Sequence, residues 1–410
     1  MRRVAVAIAA ALVLAPAAAA WTTIPGTVEN IVIPSMLVTQ AGTELVSFES
    51  PTGDTISVAR AGGAPRVVVS NDPIAGRTQL VQQPNGTIQL YFPNAQGVAR
   101  MTSVDDGQTW AGPFQTQSHD VGGVQGAAVA PDGTVYFSQD GTGFVNVFRG
   151  ENGDTMRNVY TPCCGYDSTL AVDSTGLAQV GFYSNATASG AFVYEPLGGD
   201  LAPGTALSLA PSAEHSPRVP LATDRSGNTF VGWAPGNPTA VTFTVVPFRG
   251  GSPAGDGVSF KGTFSGGDPH MALAVDSSDR LWAVWTGQGK VHAARSRTHG
   301  MNFGAAVSVA LPGTAYQVSA AGTGGTVDVI VNLGSSIVEQ HLLPGLSVRV
   351  FKAGKAWWAQ ALDDGFGVPG ARFTVKGHTF HGNAAGKAKV VAGSGKAAAP
   401  GYVGAAFKVP

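Results

Sequence analysis

The chain has 410 residues, a formal net charge of −1 and only 12% charged residues, with no basic or acidic tract. That composition excludes a polycationic nucleic-acid binder and a protein held to an anionic membrane by charge. Two cysteines, adjacent in "TPCCGYDSTL", are too few for a disulfide framework.

The chain opens "MRRVAVAIAAALVLAPAAAAW": two arginines, an apolar run, then small residues ending in an A-x-A site at Ala20. This pattern predicts a secretory signal over residues 1–20 and a secreted, extracellular mature protein. No later stretch reaches the roughly 18 unbroken apolar residues of a membrane span. Gly 56 and Pro 26 are high, yet no segment after the signal keeps a 3.6-residue apolar period. The fold class expected is therefore all-β, with many turns.

Residues 21–345 contain a recurring unit. In order it reads "IVIPSMLVTQAGTELVSF", "RTQLVQQPNGTIQLYF", "VQGAAVAPDGTVYF", "DSTLAVDSTGLAQVGF", "RVPLATDRSGNTFVGW", "HMALAVDSSDRLWAVW" and "YQVSAAGTGGTVDVIV". Each copy is an apolar strand, a polar turn and a second strand ending in bulky residues. The turn residues Gly42, Gly86, Gly133, Gly176, Gly227, Asp279 and Gly325 are spaced by 44, 47, 43, 51, 52 and 46. Hairpin turns need residues that reach positive φ, which Gly, Asn and Asp do most readily. Four-stranded units at this period are the signature of a β-propeller. Seven copies predict seven blades, or six if the first or last copy completes a shared blade.

Between the second and third copies lies "SVDDGQTW", Ser103 to Trp110, and a degenerate copy, "SRTHGMNF", follows the sixth. The first matches S-x-D-x-G-x-T-W at every defined position and resembles the Asp box (BNR repeat) of sialidase-like propellers. The resemblance covers about residues 30–345. It implies that Ser103, Asp105, Gly107, Thr109 and Trp110 build a structural turn on the outer rim, remote from any active site. Sialidases carry a substrate-gripping arginine just before the "IP" of the first blade; here that position is Val32. The family's Tyr–Glu pair has no clear counterpart, so intact sialidase chemistry is not expected.

The repeat register supplies a separate expectation. Nine residues before each turn residue lie Ile33, Arg77, Val124, Asp167, Arg218, His270 and Tyr316. These positions converge at the mouth of a propeller, and five of the seven are polar or ionisable. Arg77 and Arg218 would offer planar forks to a carboxylate, His270 a base, Tyr316 an acid, and Asp167 an orienting carboxylate. Gln125, Tyr166, His215 and Asp268 lie beside them as further ligand-binding candidates. The alternative is that such residues are solvated strand ends.

Cys163 and Cys164 enter the fourth copy just before Asp167. Neighbouring Cα atoms lie about 3.8 Å apart, below the roughly 4.4–6.8 Å that disulfides prefer. In an oxidising compartment the pair would join and shape a ligand-facing loop; free thiols and a soft-metal pair are the competing readings. No cofactor or metal is expected.

After "HLLPGLSVRVF" the composition changes, and lysine becomes frequent. "DDGFGVPGARFTVKG", "GNAAGKAKV" and "PGYVGAAFKV" loosely resemble bacterial immunoglobulin-like or carboxypeptidase-regulatory-like modules. That implies a small β-sandwich over residues 346–410, serving as a spacer or attachment module.

Three functions fit. The first is a sialidase-like propeller that binds a glycan or polysaccharide at the mouth without sialidase chemistry, as a monomer with no nucleic-acid or membrane partner. The second is a carbohydrate-active enzyme, either a uronic-acid polysaccharide lyase or a diverged glycoside hydrolase or sialidase. The third is a protein-interaction platform.

Overall fold

The computed structural model describes residues 20–26, 33–60, 63–70, 77–119, 123–141, 144–160, 165–185, 191–198, 200–211, 218–234, 242–261, 270–298 and 302–410. Val32, Cys163, Cys164, His215 and Asp268, and the signal segment up to Ala19, lie outside them. Among the described residues there are strands and turns but no helix, and neighbouring strands pair antiparallel. The protein is a β-propeller.

Six sheets follow one another along the chain, each built from four successive strands or from four with one short extra strand, and a seventh completes the set. Their innermost strands are Ser35–Val38, Gln79–Gln82, Val124–Val129, Gly165–Val172, Leu221–Thr223, Met271–Val275 and Gln317–Thr323. Each inner strand stands beside the next, and the last stands beside the first, so the sheets close a ring. The seventh sheet takes three strands from residues 317–342 and its outer strand, Thr22–Ile24, from the start of the described chain. Thr22 pairs with Glu339 and Ile24 with Ile337, which clasps the two ends of the ring together.

The turn residues behave as their positions require. Gly42, Gly86, Gly133, Gly176, Gly227 and Gly325 all have φ between 81° and 93°, and Asp279 has φ 62°. In six of the seven turns the N–H of this residue donates to the carbonyl three residues back, as Gly133 does to Ala130 at 2.9 Å. This is a type I turn closed by a left-handed residue, and Asp is among the few side chains that tolerate that conformation. Asp173, Asp224 and Asp276 open three of these turns and accept N–H groups two or four residues on at 2.8–3.1 Å.

Packing explains why the middle strands are apolar at nearly every position. A propeller sheet is covered on both faces, so alternate side chains enter alternate interfaces. Phe230 packs toward the sixth sheet while Val231 packs toward the fourth. Likewise Leu90 and Phe92 face the first sheet, and Tyr91 between them faces the third. Each adjacent pair of sheets shares its own apolar cluster, including the closing pair, where Ile24, Ile330 and Ile337 meet Val46, Phe48 and Ala59.

The Asp box is a self-satisfied turn. Asp105 accepts from Ser103 Oγ at 2.8 Å, the Gln108 and Thr109 amides at 3.1 and 2.8 Å, and Thr109 Oγ1 at 2.5 Å. Those hydrogen bonds, the Thr109 hydroxyl first, hold its carboxyl down at about 2. Gly107 has φ 79°, its N–H reaches Ser103 Oγ at 3.0 Å, and Trp110 packs on the cluster between the first and second sheets.

Beyond the ring, two four-stranded sheets occupy residues 347–409 and share a core around Phe373, Val375, Ala359 and Ala361. They are joined to the sixth propeller sheet through Asp363, which is 4% exposed. Its Oδ2 accepts from Arg280 at 2.9 Å, Arg295 at 2.8 Å and the Tyr402 hydroxyl at 3.1 Å. Removing one partner of a buried pair strands the other charge, which costs about 3–5 kcal/mol. Asp363→Ala is expected to lose that much in urea unfolding, whereas a loss under 1 kcal/mol would mean the two units are held by other contacts.

A second electrostatic feature sits at the ring closure. Glu44 on the first sheet faces Asp328, Glu339 and His341 on the seventh. Burial, then the charges of Asp328 and Glu339, push its carboxyl up to about 7. His341 is raised as well, chiefly by its hydrogen bond to Asp328 at 2.5 Å. Burial alone raises Glu195 to about 7. The folded state therefore keeps protons that the unfolded chain releases near pH 4.5, and stability falls as pH rises from there through 7. Thermal melting should be higher at pH 5 than at pH 8, and Glu44→Gln should shrink that difference by raising the pH 8 value. An unchanged pH dependence in the variant would remove Glu44 as its source.

Candidate functional site

Three of the positions chosen by repeat register, with Gln125 beside them, meet at one end of the ring. Arg77 precedes the second inner strand, Gln125 lies on the third, Asp167 on the fourth, and Arg218 precedes the fifth. Arg77 Nη2 pairs with Asp167 Oδ1 at 2.5 Å, and its Nη1 donates to the Gln125 side-chain carbonyl. Arg218 donates to the backbone carbonyls of Gln125 and, at 2.8 Å, Ser168. Side chains about 45 to 90 residues apart are thus one hydrogen-bonded group.

Local backbone irregularity aims these groups inward. The pairing of the third inner strand shifts register between Val124 and Gly126, and that of the fourth between Tyr166 and Thr169. Asp167 sits in the second irregularity at φ 54°, a left-handed conformation that a short acidic side chain tolerates. Such bulges turn side chains out of the ordinary in-and-out alternation. At the first, a Cβ on Gly126 would come within 2.7 Å of the Leu170 amide nitrogen, so only glycine lets the third and fourth inner strands approach this closely.

Asp140 and the serines behind it are part of the group, and the repeat register does not find them. Asp140 Oδ2 accepts the Ser168 amide at 2.6 Å, and Ser168 Oγ donates to Ser138 Oγ at 3.0 Å. The available signal was "FSQDG", three consecutive polar residues in a strand whose neighbours are apolar. Burial, reinforced by Asp167 and opposed by Arg77 and Arg218, raises Asp140 to about 6. Burial and then the neighbouring Arg77 lower Arg218 to about 9, so it is charged at neutral pH. Two cations and two carboxyl groups make this end nearly balanced in charge.

The forks expected for a ligand carboxylate are differently employed. Arg77 has its terminal nitrogens on Asp167 and Gln125, and Arg218 Nη2 is on main-chain carbonyls; Arg218 Nε has no hydrogen-bond partner among the described residues. The reason is electrostatic: a guanidinium taken out of water needs acceptors from the protein itself. Asp167 accordingly faces Arg77. The remaining register positions take no part in this hydrogen-bonded group. Ile33 and Val124 are buried apolar residues. His270 precedes the sixth inner strand, is 8% exposed, and its backbone N–H donates to Thr286 Oγ1 at 3.2 Å. Tyr316 precedes the seventh, is 39% exposed, and its ring lies against Gly334. Tyr166 is half-buried beside Tyr183, ring centroids 6.4 Å apart.

The group opens on a cavity of about 190 Å³ in the ring axis, lined by Gln79, Gln125 and Arg218 with apolar walls from Ile33, Leu170 and Met271. The opposite end, ringed by the hairpin turns, holds a wider hollow of about 880 Å³. Of its carboxylates, Asp173, Asp224 and Asp276 are committed to their own turns, and Asp279 accepts the Arg225 amide of the neighbouring turn at 2.8 Å. Its size follows from the diverging turns, and the ionisable network lies at the narrow end.

No protein-family profile and no curated protein matches this sequence. Similar solved structures exist. Virginiamycin B lyase from Staphylococcus aureus superposes with a TM-score of 0.51 at 12% identity, covering 76% of this chain and 96% of that one. A catalytically inactive form of that enzyme with quinupristin gives 0.52 at 13%, covering 78% and 98%. A streptogramin B lyase gives 0.51 at 13%, covering 78% and 96%. At such identities the likeness establishes the propeller fold alone.

The ion pair generates a direct test. Asp167→Asn should cost about 3 kcal/mol by leaving Arg77 unpaired in a mostly buried setting. Arg77→Met with Asp167→Asn should cost clearly less than the two single changes summed. Additive losses in denaturant titration would show that the pair does not couple.

Proposed function

We propose that the protein is a secreted, glycan-binding β-propeller that holds carbohydrate at the narrow end of the ring and lacks intact sialidase chemistry. The observation that carries this reading is the Arg77–Gln125–Asp167–Arg218 group at the cavity. A sugar hydroxyl both donates and accepts, and Gln79, Gln125 and Arg218 line the cavity with side chains of both kinds. Its charges are internally matched, which favours a hydroxyl-rich ligand over one that must bring its own carboxylate. Tyr166, next to Asp167 in the chain and half-buried against Tyr183, is the candidate aromatic face for a sugar ring. The likeness of Ser103–Trp110 to the sialidase Asp box, export through residues 1–20 and a loop shaped by Cys163 and Cys164 belong to the same reading.

The test is glycan binding and bond cleavage measured side by side on purified protein. Neutral and acidic oligosaccharides would be screened by calorimetry, with products followed by chromatography. Arg218→Met and Tyr166→Ala are expected to weaken the best ligand about tenfold each, the worth of a charge-assisted hydrogen bond or an aromatic contact. Wild-type protein is expected to release no product. Unsaturated uronate release that is lost in His270→Ala and Tyr316→Phe would replace this reading with a lyase. Free sialic acid would show that the family's chemistry survives without an arginine at Val32.

A further inference from the structure

A second binding surface lies on the two C-terminal sheets, away from the ring mouth. Strand Ala356–Asp363 pairs on one side with Ser347–Ala353 and on the other with Lys387–Val390. One face of this three-stranded layer, with Val348, Val350, Ala359, Ala361, Ala388 and Val390, enters the core. The other face is set by the two-residue alternation of strands. Across it run two rows: Phe351, Trp358, Lys389, and then Arg349, Gln360, Lys387. Neither Phe351 nor Trp358 belongs to the core beneath, and both are half-exposed. Two cations lie near the Phe351 ring, Arg349 at 5.7 Å and Lys387 at 5.8 Å from its centroid.

Charge is segregated around this face. Nine of the chain's 25 Lys and Arg fall in residues 346–410, but only two of its 26 Asp and Glu. The formal charge there is +7, against −8 for the rest of the chain. Both acids, Asp363 and Asp364, are buried at 4% and 5% exposure, and Asp363 is engaged by Arg280 and Arg295. No acidic side chain of this segment is exposed.

We propose that this face binds an acidic polysaccharide. A three-stranded layer is about 10 Å across, the width of one extended sugar chain and half that of a nucleic-acid duplex. Aromatic faces stack on the apolar side of sugar rings, and Arg349, Lys387 and Lys389 are placed to meet carboxylates or sulfates along the polymer. Duplex DNA would find the cations but has no use for a central flat tryptophan. A negatively charged ring repels the same polymer, which directs it to the basic end.

The experiment is affinity electrophoresis of the full chain in gels carrying polygalacturonate, dextran or neither, with duplex DNA as a soluble competitor. Polygalacturonate is expected to retard the protein and dextran not to, with retardation weakening at high salt. Trp358→Ala, and separately Lys387→Gln with Lys389→Gln, should each weaken retardation about tenfold. The lysine pair is read if the tryptophan variant does not fold. Arg218→Met should retain full retardation. Loss of retardation in folded Arg218→Met would place the acidic polymer at the ring mouth and overturn this proposal, along with the mouth's preference for uncharged sugars. Equal retardation by dextran, full retardation in both face variants, or complete competition by DNA at equal charge would each overturn it.

Discussion

The requirement that every sheet of the ring be covered on both faces governs this molecule. A sheet in a two-layer protein has one dry face and one wet one, and its strands alternate accordingly. Here Ala178–Ser184 is buried at all seven positions and Ile88–Asn94 likewise. The apolar side chains of such a strand are divided between two interfaces, so no sheet is stable without both neighbours. The consequence is that the ring must close, and the pairing of Thr22–Ile24 with Ile337–Leu342 is where it does. Glu44, Asp328, Glu339 and His341 gather at that seam. Three carboxyl groups at a partly buried junction tie its strength to proton concentration.

The same constraint decides where chemistry can reside. Polar side chains are costly between the sheets, so they are left to strand ends, bulges and the ring axis. Two bulges on adjacent inner strands deliver Gln125 and Asp167 to the axis. Arg77 and Arg218 reach them from the neighbouring sheets on either side. What results is a network satisfied largely from within, with Asp140 and Ser168 as its buried support. A preorganised group of this kind holds its geometry before any ligand arrives, which lowers the ordering cost of binding.

How much of this was legible in the sequence depends on the range of the interaction. The hairpins were legible because a left-handed residue at a fixed place in each copy is a local demand, met by six glycines and Asp279. The Asp box was legible for the same reason, its hydrogen bonds spanning only Ser103 to Thr109. The closing strand was not, because "TTI" carries no pattern of its own and is fixed only by a partner more than 300 residues away. Register brought Arg77, Asp167 and Arg218 to one end of the ring but not into their pairings. A count along the chain gives depth along the axis, whereas a bulge sets the direction of a side chain. Asp140 escaped because it sits on a second strand, where the count was not applied. Nothing local to "DDG" distinguishes Asp363, and only the approach of Arg280 and Arg295 from the ring gives it a role.

Asp363 also accounts for the unusual surface of the C-terminal sheets. An acid used to anchor one unit to another is withdrawn from the surface, and its charge is answered by arginines that belong to the ring. The anchored unit is thereby left with cations and no exposed acidic side chain. The near-neutral total of −1 hides a dipolar molecule, acidic in the ring and basic at the end. Within a screening length of roughly 8 Å, each end presents its own sign to a ligand regardless of the sum. A charged polymer therefore meets a directional protein, and the ring mouth, nearly balanced in itself, is left to ligands recognised by hydrogen bonds rather than by charge.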